Sequence, residues 1–335
     1  MAGTNDRGSR DLDEDDVRVR PGRRSARPRS KQRPAHTEAS AGQVLTVDRG
    51  RFHVLIDGTE VTAMRARELG RKGIVVGDRV DVVGDLSGGP DALARIVRRA
   101  PRASVLRRTA DDTDDTERVI VANADQLIIV TALADPPPRF GFIDRCVVAA
   151  LTENIEPVLC LTKSDLASPD TVMANYIDLD IPAVVTRRDG DLEPLRERLH
   201  DQVSVFVGHS GVGKSTLINA LVPTATRETG VVSAIGKGRH TSTSTLALPL
   251  PDGGWVIDTP GVRSFGLAHV SSADLLWAFP DLEDGTNNCP PGCEHLAAAD
   301  GCTLDAWVAA GHSSPTRLAA FRRLLTSRTA PGYTD

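Results

Sequence analysis

Between Gly208 and Thr216 the chain reads Gly208-His209-Ser210-Gly211-Val212-Gly213-Lys214-Ser215-Thr216. In this spacing the glycines let backbone N–H groups curl inward toward phosphate oxygens. Lys214 can reach the β- and γ-phosphates, and the Ser215 hydroxyl can ligate Mg²⁺. A second set, Thr162-Lys163-Ser164-Asp165, suits a purine base. A buried Asp165 carboxylate there would accept hydrogen bonds from the N1–H and exocyclic amine of guanine, whereas adenine presents no such donor pair. The stem of Lys163 can lie along the purine face. A third set is Asp258-Thr259-Pro260-Gly261. It offers Asp258 to hold Mg²⁺ through a water, and the Gly261 N–H to sense the γ-phosphate.

Between the phosphate loop and Asp258 lies Gly236-Lys237-Gly238-Arg239-His240-Thr241-Ser242-Thr243-Ser244-Thr245. Glycines and hydroxyls suit a segment that is ordered by a γ-phosphate and released on hydrolysis. The run Thr241-Ser242-Thr243 offers a hydroxyl for the Mg²⁺ shell, and Thr241 carries that assignment. Farther on, Cys289, Cys293, His295 and Cys302 fall within one short stretch. Three thiolates and an imidazole make a closed, structural type of Zn²⁺ site. The surrounding loop-rich segment would be hard to order without a metal.

These residues need a scaffold. Val205-Phe206-Val207 reads as a buried strand running into the phosphate loop, and Thr216 to Leu221 as the helix that follows. From Val119 on, strands at 126–131, 157–161 and 183–186 alternate with helices over 139–154 and 192–199. That alternation predicts a mostly parallel sheet with helices on both faces. Thr162 to Asp165 then sits at the carboxyl end of a strand, where such sheets bind ligands. The base-reading motif precedes the phosphate loop, the reverse of ordinary GTPases, and the sheet can still form if the chain is circularly permuted. A strand at 253–258 ends in Asp258. A last helix over 315–328 turns Leu318, Phe321, Leu324 and Leu325 inward. Its Arg317, Arg322, Arg323 and Arg328 are available to RNA phosphates or to a solvated face.

Ahead of this domain, short strands at 42–48, 51–56, 60–64, 77–83 and 92–97, parted by Gly and Asp turns, predict a five-stranded OB-fold barrel. Phe52 is its main aromatic, so backbone and shape contacts to RNA are expected over base readout. Residues 101–118 read as a loop. Residues 1–40 lack hydrophobic periodicity and pass from the acidic Asp11–Asp16 to an arginine-rich run ending near Arg33. This is a disordered tail, serving as a solvated linker or as an RNA-binding arm.

The bulk numbers agree. In 335 residues, 40% hydrophobic, there is material for two or three domains, and a net charge of −5 confines any nucleic-acid contact to local patches. No apolar run reaches membrane-spanning length, and nothing resembles a signal peptide. Five cysteines, three of them clustered beside a histidine, favour a metal site in a reducing compartment over a disulfide framework.

Together these residues resemble the ribosome small-subunit-dependent GTPase A family, circularly permuted GTPases of bacterial small-subunit biogenesis. The resemblance covers about residues 41–329. It is carried by Ala122-Asn123-Ala124-Asp125-Gln126, Thr162 to Asp165, Gly208 to Thr216, Gly238 to Thr241, Asp258 to Arg263 with Phe265-Gly266-Leu267, and the Cys/His cluster. Beside the tail (1–40) and the linker (101–118) read above, it implies an OB-fold (41–100), a permuted α/β P-loop GTPase domain (119–268) and a small helical zinc-binding domain (269–335). It also implies a cytoplasmic GTPase, expected to be a monomer without membrane contact. Such a protein docks on the small ribosomal subunit and its rRNA late in maturation, and the subunit stimulates hydrolysis of GTP to GDP. Ras-like enzymes carry a glutamine where this chain has Val262, which cannot orient water. His240 is the candidate for that role, beside Lys214 and Ser215 as charge stabilisers. The alternative reading is a GTP-gated module on another RNA, with hydrolysis incidental.

Overall fold

The computed structural model describes residues 36–69, 73–111, 114–222, 245–260, 265, 267, 269–296 and 301–329. The tail up to residue 35, His240, Thr241 and Gly261 lie outside the described residues.

The first layer is a closed barrel of β1 (Ser40–Asp48), β2 (Arg51–Ile56), β3 (Thr59–Arg65), β4 (Arg79–Gly84) and β5 (Ala94–Arg99). The ring runs β1-β2-β3-β5-β4 and closes through β1 on β4, with β3 and β5 parallel. Alternation explains the closure: Phe52, Val54 and Ile56 of β2 point into a core with Val44, Val61, Val80, Val82 and Ile96. The Asp57-Gly58 hairpin turn has both φ values positive, at 48° and 80°, which suits the twist of the strands it joins. Phe52 is only 5% exposed. The aromatic available for contact with RNA bases is therefore a core residue.

The loop expected over 101–118 is instead a hairpin, β6 (Val105–Asp111) and β7 (Asp114–Ala122). Its charged sequence hides the alternation, and cross-strand pairing from Val105↔Ala122 outward holds it. At its base, the forked guanidinium of Arg102 grips the fully buried Asp78 at 2.7 and 2.8 Å, which fastens the barrel's exit to its wall.

The α/β layer contains β8 (Gln126–Ala132), α1 (Phe140–Leu151), β9 (Glu156–Thr162), α2 (Asp170–Tyr176), β10 (Ala183–Val185), α3 (Glu193–Leu199), β11 (Val203–Val207), α4 (Lys214–Leu221), β12 (Leu246–Pro249) and β13 (Trp255–Asp258). The strand order is β10-β9-β8-β11-β13-β12, parallel except for β12. Leu246 of β12 pairs with Thr46 of β1, so barrel and sheet are continuous. Every residue of β8 is buried, as a central parallel strand covered on both faces requires. On one face α3 and α4 contribute Leu195, Leu199, Leu217, Ile218 and Leu221. The other face carries α1.

The C-terminal helices are α5 (Ser272–Leu276), α6 (Pro280–Glu283), α7 (Leu304–Ala309) and α8 (Pro315–Thr329). Phe279, Leu304, Leu318, Phe321, Leu324 and Leu325 join the same core as Ile143, Cys146 and Val147 of α1. The arginines of α8, expected to meet RNA phosphates or to form a solvated face, are all engaged with carboxylates. Arg317 holds Asp281 and Asp180, Arg322 holds Asp305, Arg323 holds Asp144 and Arg328 holds Glu294. They fasten α8 to its neighbours. Among the described residues no helix is long and apolar enough to cross a membrane.

Candidate functional site

The buried β11 delivers the chain to Gly208, whose Cα lies so close to β8 that a Cβ would stand 2.6 Å from the Val130 carbonyl. Only glycine fits there. The loop then turns through Gly213, at φ +94°, which is the residue before α4. A side chain would strain that conformation. Lys214 opens α4 with its side chain 12% exposed, and its ammonium donates to Asp258 Oδ1 at the end of β13. The phosphate-loop lysine and the Mg²⁺-assigned carboxylate thus meet, although Asp258 comes forty-four residues later. The Thr259 hydroxyl donates to the Phe206 carbonyl at 2.8 Å, which pins the end of β13 beside β11. His209 packs its ring against Phe142 of α1, with centroids 4.2 Å apart. Ser210, Ser215 and Thr216 are exposed on the loop and first turn.

The Thr162–Asp165 segment begins at the last residue of β9, on the same edge of the sheet. The Thr162 hydroxyl donates to the Val212 carbonyl at 2.6 Å, directly tying this motif to the phosphate loop. Lys163 takes φ +60° and its ammonium donates to the Asp135 carbonyl. The Ser164 N–H donates to the Thr186 carbonyl at 3.2 Å. A cavity of about 580 Å³ is lined by Thr162, Lys163 and Asp165 on one side and by Gly211, Val212, Gly213 and Thr216 on the other. Asp165 is exposed, contrary to the buried carboxylate expected from sequence, because it lies three residues beyond the end of β9 in a loop.

Two contributors escaped the sequence reading. The segment Thr186 to Gly190, which follows β10, lines the same cavity. Its position at the carboxyl end of a parallel strand was the signal that could have found it. Thr303 is the other, and it belongs to the cysteine cluster. There, the ligand atoms of Cys289, Cys293, His295 and Cys302 all lie within 4.8 Å of one another. His295 Nδ1 stands 3.7 Å from Cys289 Sγ and 3.9 Å from Cys302 Sγ. A tetrahedron with Zn–S arms of about 2.3 Å has edges of about 3.8 Å, so this donor set fits Zn²⁺. Burial pushes the Cys289 thiol up, but the hydroxyl and N–H of Thr303 hydrogen-bond its sulfur and bring it below its ordinary value. Burial holds the His295 imidazole below its usual value, which favours the neutral, ligating form.

Comparison with known proteins gives concordant results. The sequence profile of the RsgA GTPase family matches residues 99–268. The chain is 37% identical over 266 residues to the small ribosomal subunit biogenesis GTPase RsgA of Chlorobaculum parvum, a match covering 76% of this chain and 85% of that protein. It is 34% identical over 308 residues to the protein of the same name from Nitrosospira multiformis, covering 89% and 95%. Among solved structures, YjeQ from Thermotoga maritima superposes with a TM-score of 0.62 at 25% identity, covering 86% of this chain and 98% of that one. YloQ, described as a circularly permuted GTPase, superposes with a TM-score of 0.62 at 23% identity, covering 90% and 100%, and supports the fold.

Proposed function

The chain belongs to the RsgA GTPase family, and from that premise we propose that it hydrolyses GTP on the small ribosomal subunit during the subunit's late maturation. The observation that carries the reading is the single cavity lined by both Asp165 and Gly213. A nucleotide placed there has its base at the Thr162–Asp165 loop and its phosphates at the glycines and the start of α4.

In this reading Asp165 selects guanine by accepting its two N–H donors. Thr162, Lys163 and Ser164 shape the base site. Backbone N–H groups from Gly208 to Gly213, with Thr216, cradle the phosphates. Lys214 leaves Asp258 for the β- and γ-phosphate oxygens, because the triphosphate offers more negative charge than one carboxylate. That exchange frees Asp258, which with Ser215 and Thr241 would hold the Mg²⁺ that accompanies the nucleotide. Bound Mg²⁺ would neutralise charge developing between the β- and γ-phosphates. Gly261 senses the γ-phosphate, and His240 orients the attacking water when the subunit is bound. Cys289, Cys293, His295 and Cys302 would hold one structural Zn²⁺.

The rRNA-facing surface in this reading includes the outer wall of the barrel. Arg51, Met64 and Arg95 are register partners on β2, β3 and β5 and all three are exposed. Two cations flanking an apolar side chain suit a sugar–phosphate backbone. The protein acts in the cytoplasm as a monomer.

Sedimentation with purified small subunits tests the proposal. Co-migration in the presence of a non-hydrolysable GTP analogue and Mg²⁺, and its weakening with GDP, is the expected result. Migration with another RNA, and none with the subunit, would overturn it.

A further inference from the structure

A second cavity, of about 320 Å³, lies at the amino ends of β8, β9 and β10, across the sheet from the nucleotide cavity. Ile155, Pro157, Leu179 and Ile181 give it apolar walls. Trp277, just past α5, also lines it and is 45% exposed. An indole left that open beside a cavity suits a contact surface, because it still has a large apolar area to bury. Asp125, Glu156 and Asp180 add three exposed carboxylates, and no Lys, Arg or His is among the lining residues. Leu151, the last residue of α1, reaches the same cavity, so the negative end of that helix's dipole strengthens the field.

The cations nearby do not neutralise this surface. Glu156 pairs with Arg198, and Asp180 pairs with Arg317, which also holds Asp281. Asp125 accepts the Val203 N–H at 2.7 Å and forms no ion pair among the described residues. Four carboxylates therefore share two guanidinium groups, and the rim stays negative.

We propose that this cavity docks a basic protein segment, with an arginine side chain stacked on the Trp277 indole and its guanidinium within reach of the rim carboxylates. A guanidinium is planar and weakly hydrated, so it can lie on an aromatic face while its edge donates to carboxylates. Nucleic acid is disfavoured, because the same carboxylates repel phosphates. A small polyamine would leave much apolar surface bare. Ile177 is 70% exposed and Met173 is 40% exposed, one helical turn apart just ahead of Leu179. The residues flanking an arginine in a protein segment can cover them. The proposal stands apart from the nucleotide site and does not depend on it.

Fluorescence polarisation of a labelled arginine-rich decapeptide on the full-length protein tests the site. Trp277→Ala is expected to weaken binding about fivefold or more, as loss of a partly desolvated cation–π contact implies. Asp180→Asn should weaken it about twofold, whereas Asp252→Asn, in the exposed β12–β13 turn, should leave it unchanged. A peptide with lysine in place of arginine should bind less tightly, because an ammonium cannot stack and fork at once. Circular dichroism checks the fold of each variant. If Trp277→Ala does not fold, Asp180→Asn decides, since that side chain is 84% exposed. Undiminished binding in the variant that decides overturns the proposal, as does an equal loss in Asp252→Asn. Displacement of the peptide by an equal concentration of spermidine would assign the cavity to polyamines instead. Binding of a polyuridine oligonucleotide that is lost in Trp277→Ala would assign it to RNA, and either result overturns the protein partner.

Discussion

The Thr162 hydroxyl and the Val212 carbonyl are 2.6 Å apart, although fifty residues separate them in the chain. The bond joins the loop that ends β9 to the loop that opens α4. Circular permutation reverses the order of these two motifs in the sequence but not their adjacency at the sheet edge, because β9, β8 and β11 are parallel neighbours.

That hydrogen bond is open to direct test. Thr162→Val keeps the side chain's shape and removes the donor, leaving a carbonyl without its partner. We expect a loss of about 1–3 kcal/mol in unfolding free energy, read by denaturant titration. GTP affinity should fall several-fold, because the base and phosphate subsites lose their fixed spacing. Unchanged stability and affinity would show that the two loops are held together by other means.

The Lys214–Asp258 contact gives a second expectation. Lys214→Ala should lower the hydrolysis rate by about 10²–10³-fold, the usual cost of removing one preorganised charge from phosphoryl transfer, measured as phosphate release. Asp258→Asn should raise the Mg²⁺ concentration needed for half-maximal turnover. If that concentration does not move, Asp258 has no part in holding the ion.

For the cysteine cluster, the protein as purified should contain about one zinc per chain by elemental analysis. Cys293→Ser and His295→Ala should each lose most of the metal and melt at lower temperature, because metal binding and folding of this loop are linked. GTP affinity should stay nearly unchanged, since the donors lie outside the nucleotide cavity. Full zinc retention in both variants would remove them from the ligand set.

The assignment of His240 rests on sequence and predicts a selective defect. His240→Ala should leave GTP binding and slow intrinsic turnover intact and reduce small-subunit-stimulated turnover by about tenfold or more. Single-turnover assays with and without subunits separate the two. Equal stimulation in both proteins would exclude the histidine.

Much of this arrangement was legible in the sequence for physical reasons. The glycines around Lys214 are needed at a close approach to Val130 and at a positive φ, and such needs leave a strong mark. The period-two alternation of β2 and the Asp57-Gly58 turn predicted the barrel, and four soft ligands in a short stretch predicted a metal site. What sequence did not disclose depends on partners distant in the chain. The hairpin of β6 and β7 is too charged to show alternation. Thr186 to Gly190 carries no motif and is placed only by β10. The helix over 139–154 was apparent, but not the burial of Asp144 and Arg145 on the side of α1 that faces α8. They are buried because α8 covers that side. The arginines of α8 left an RNA surface and a solvated face both open until their carboxylate partners, spread from Asp144 to Asp305, came into view.

The central claim is that one nucleotide spans Asp165 and the phosphate loop. The most direct measurement is displacement of a fluorescent GTP analogue by GTP, ATP and XTP, for the unaltered protein and for Asp165→Asn. The expected result is displacement by GTP at concentrations at least about a hundredfold below those of ATP, as expected when a site's polar groups would otherwise be left unpaired. In Asp165→Asn, GTP should weaken and XTP should gain, because an amide can donate to the xanthine carbonyl that replaces the guanine amine. Equal displacement by GTP and ATP, or an Asp165→Asn protein with unaltered preference, would contradict the shared site.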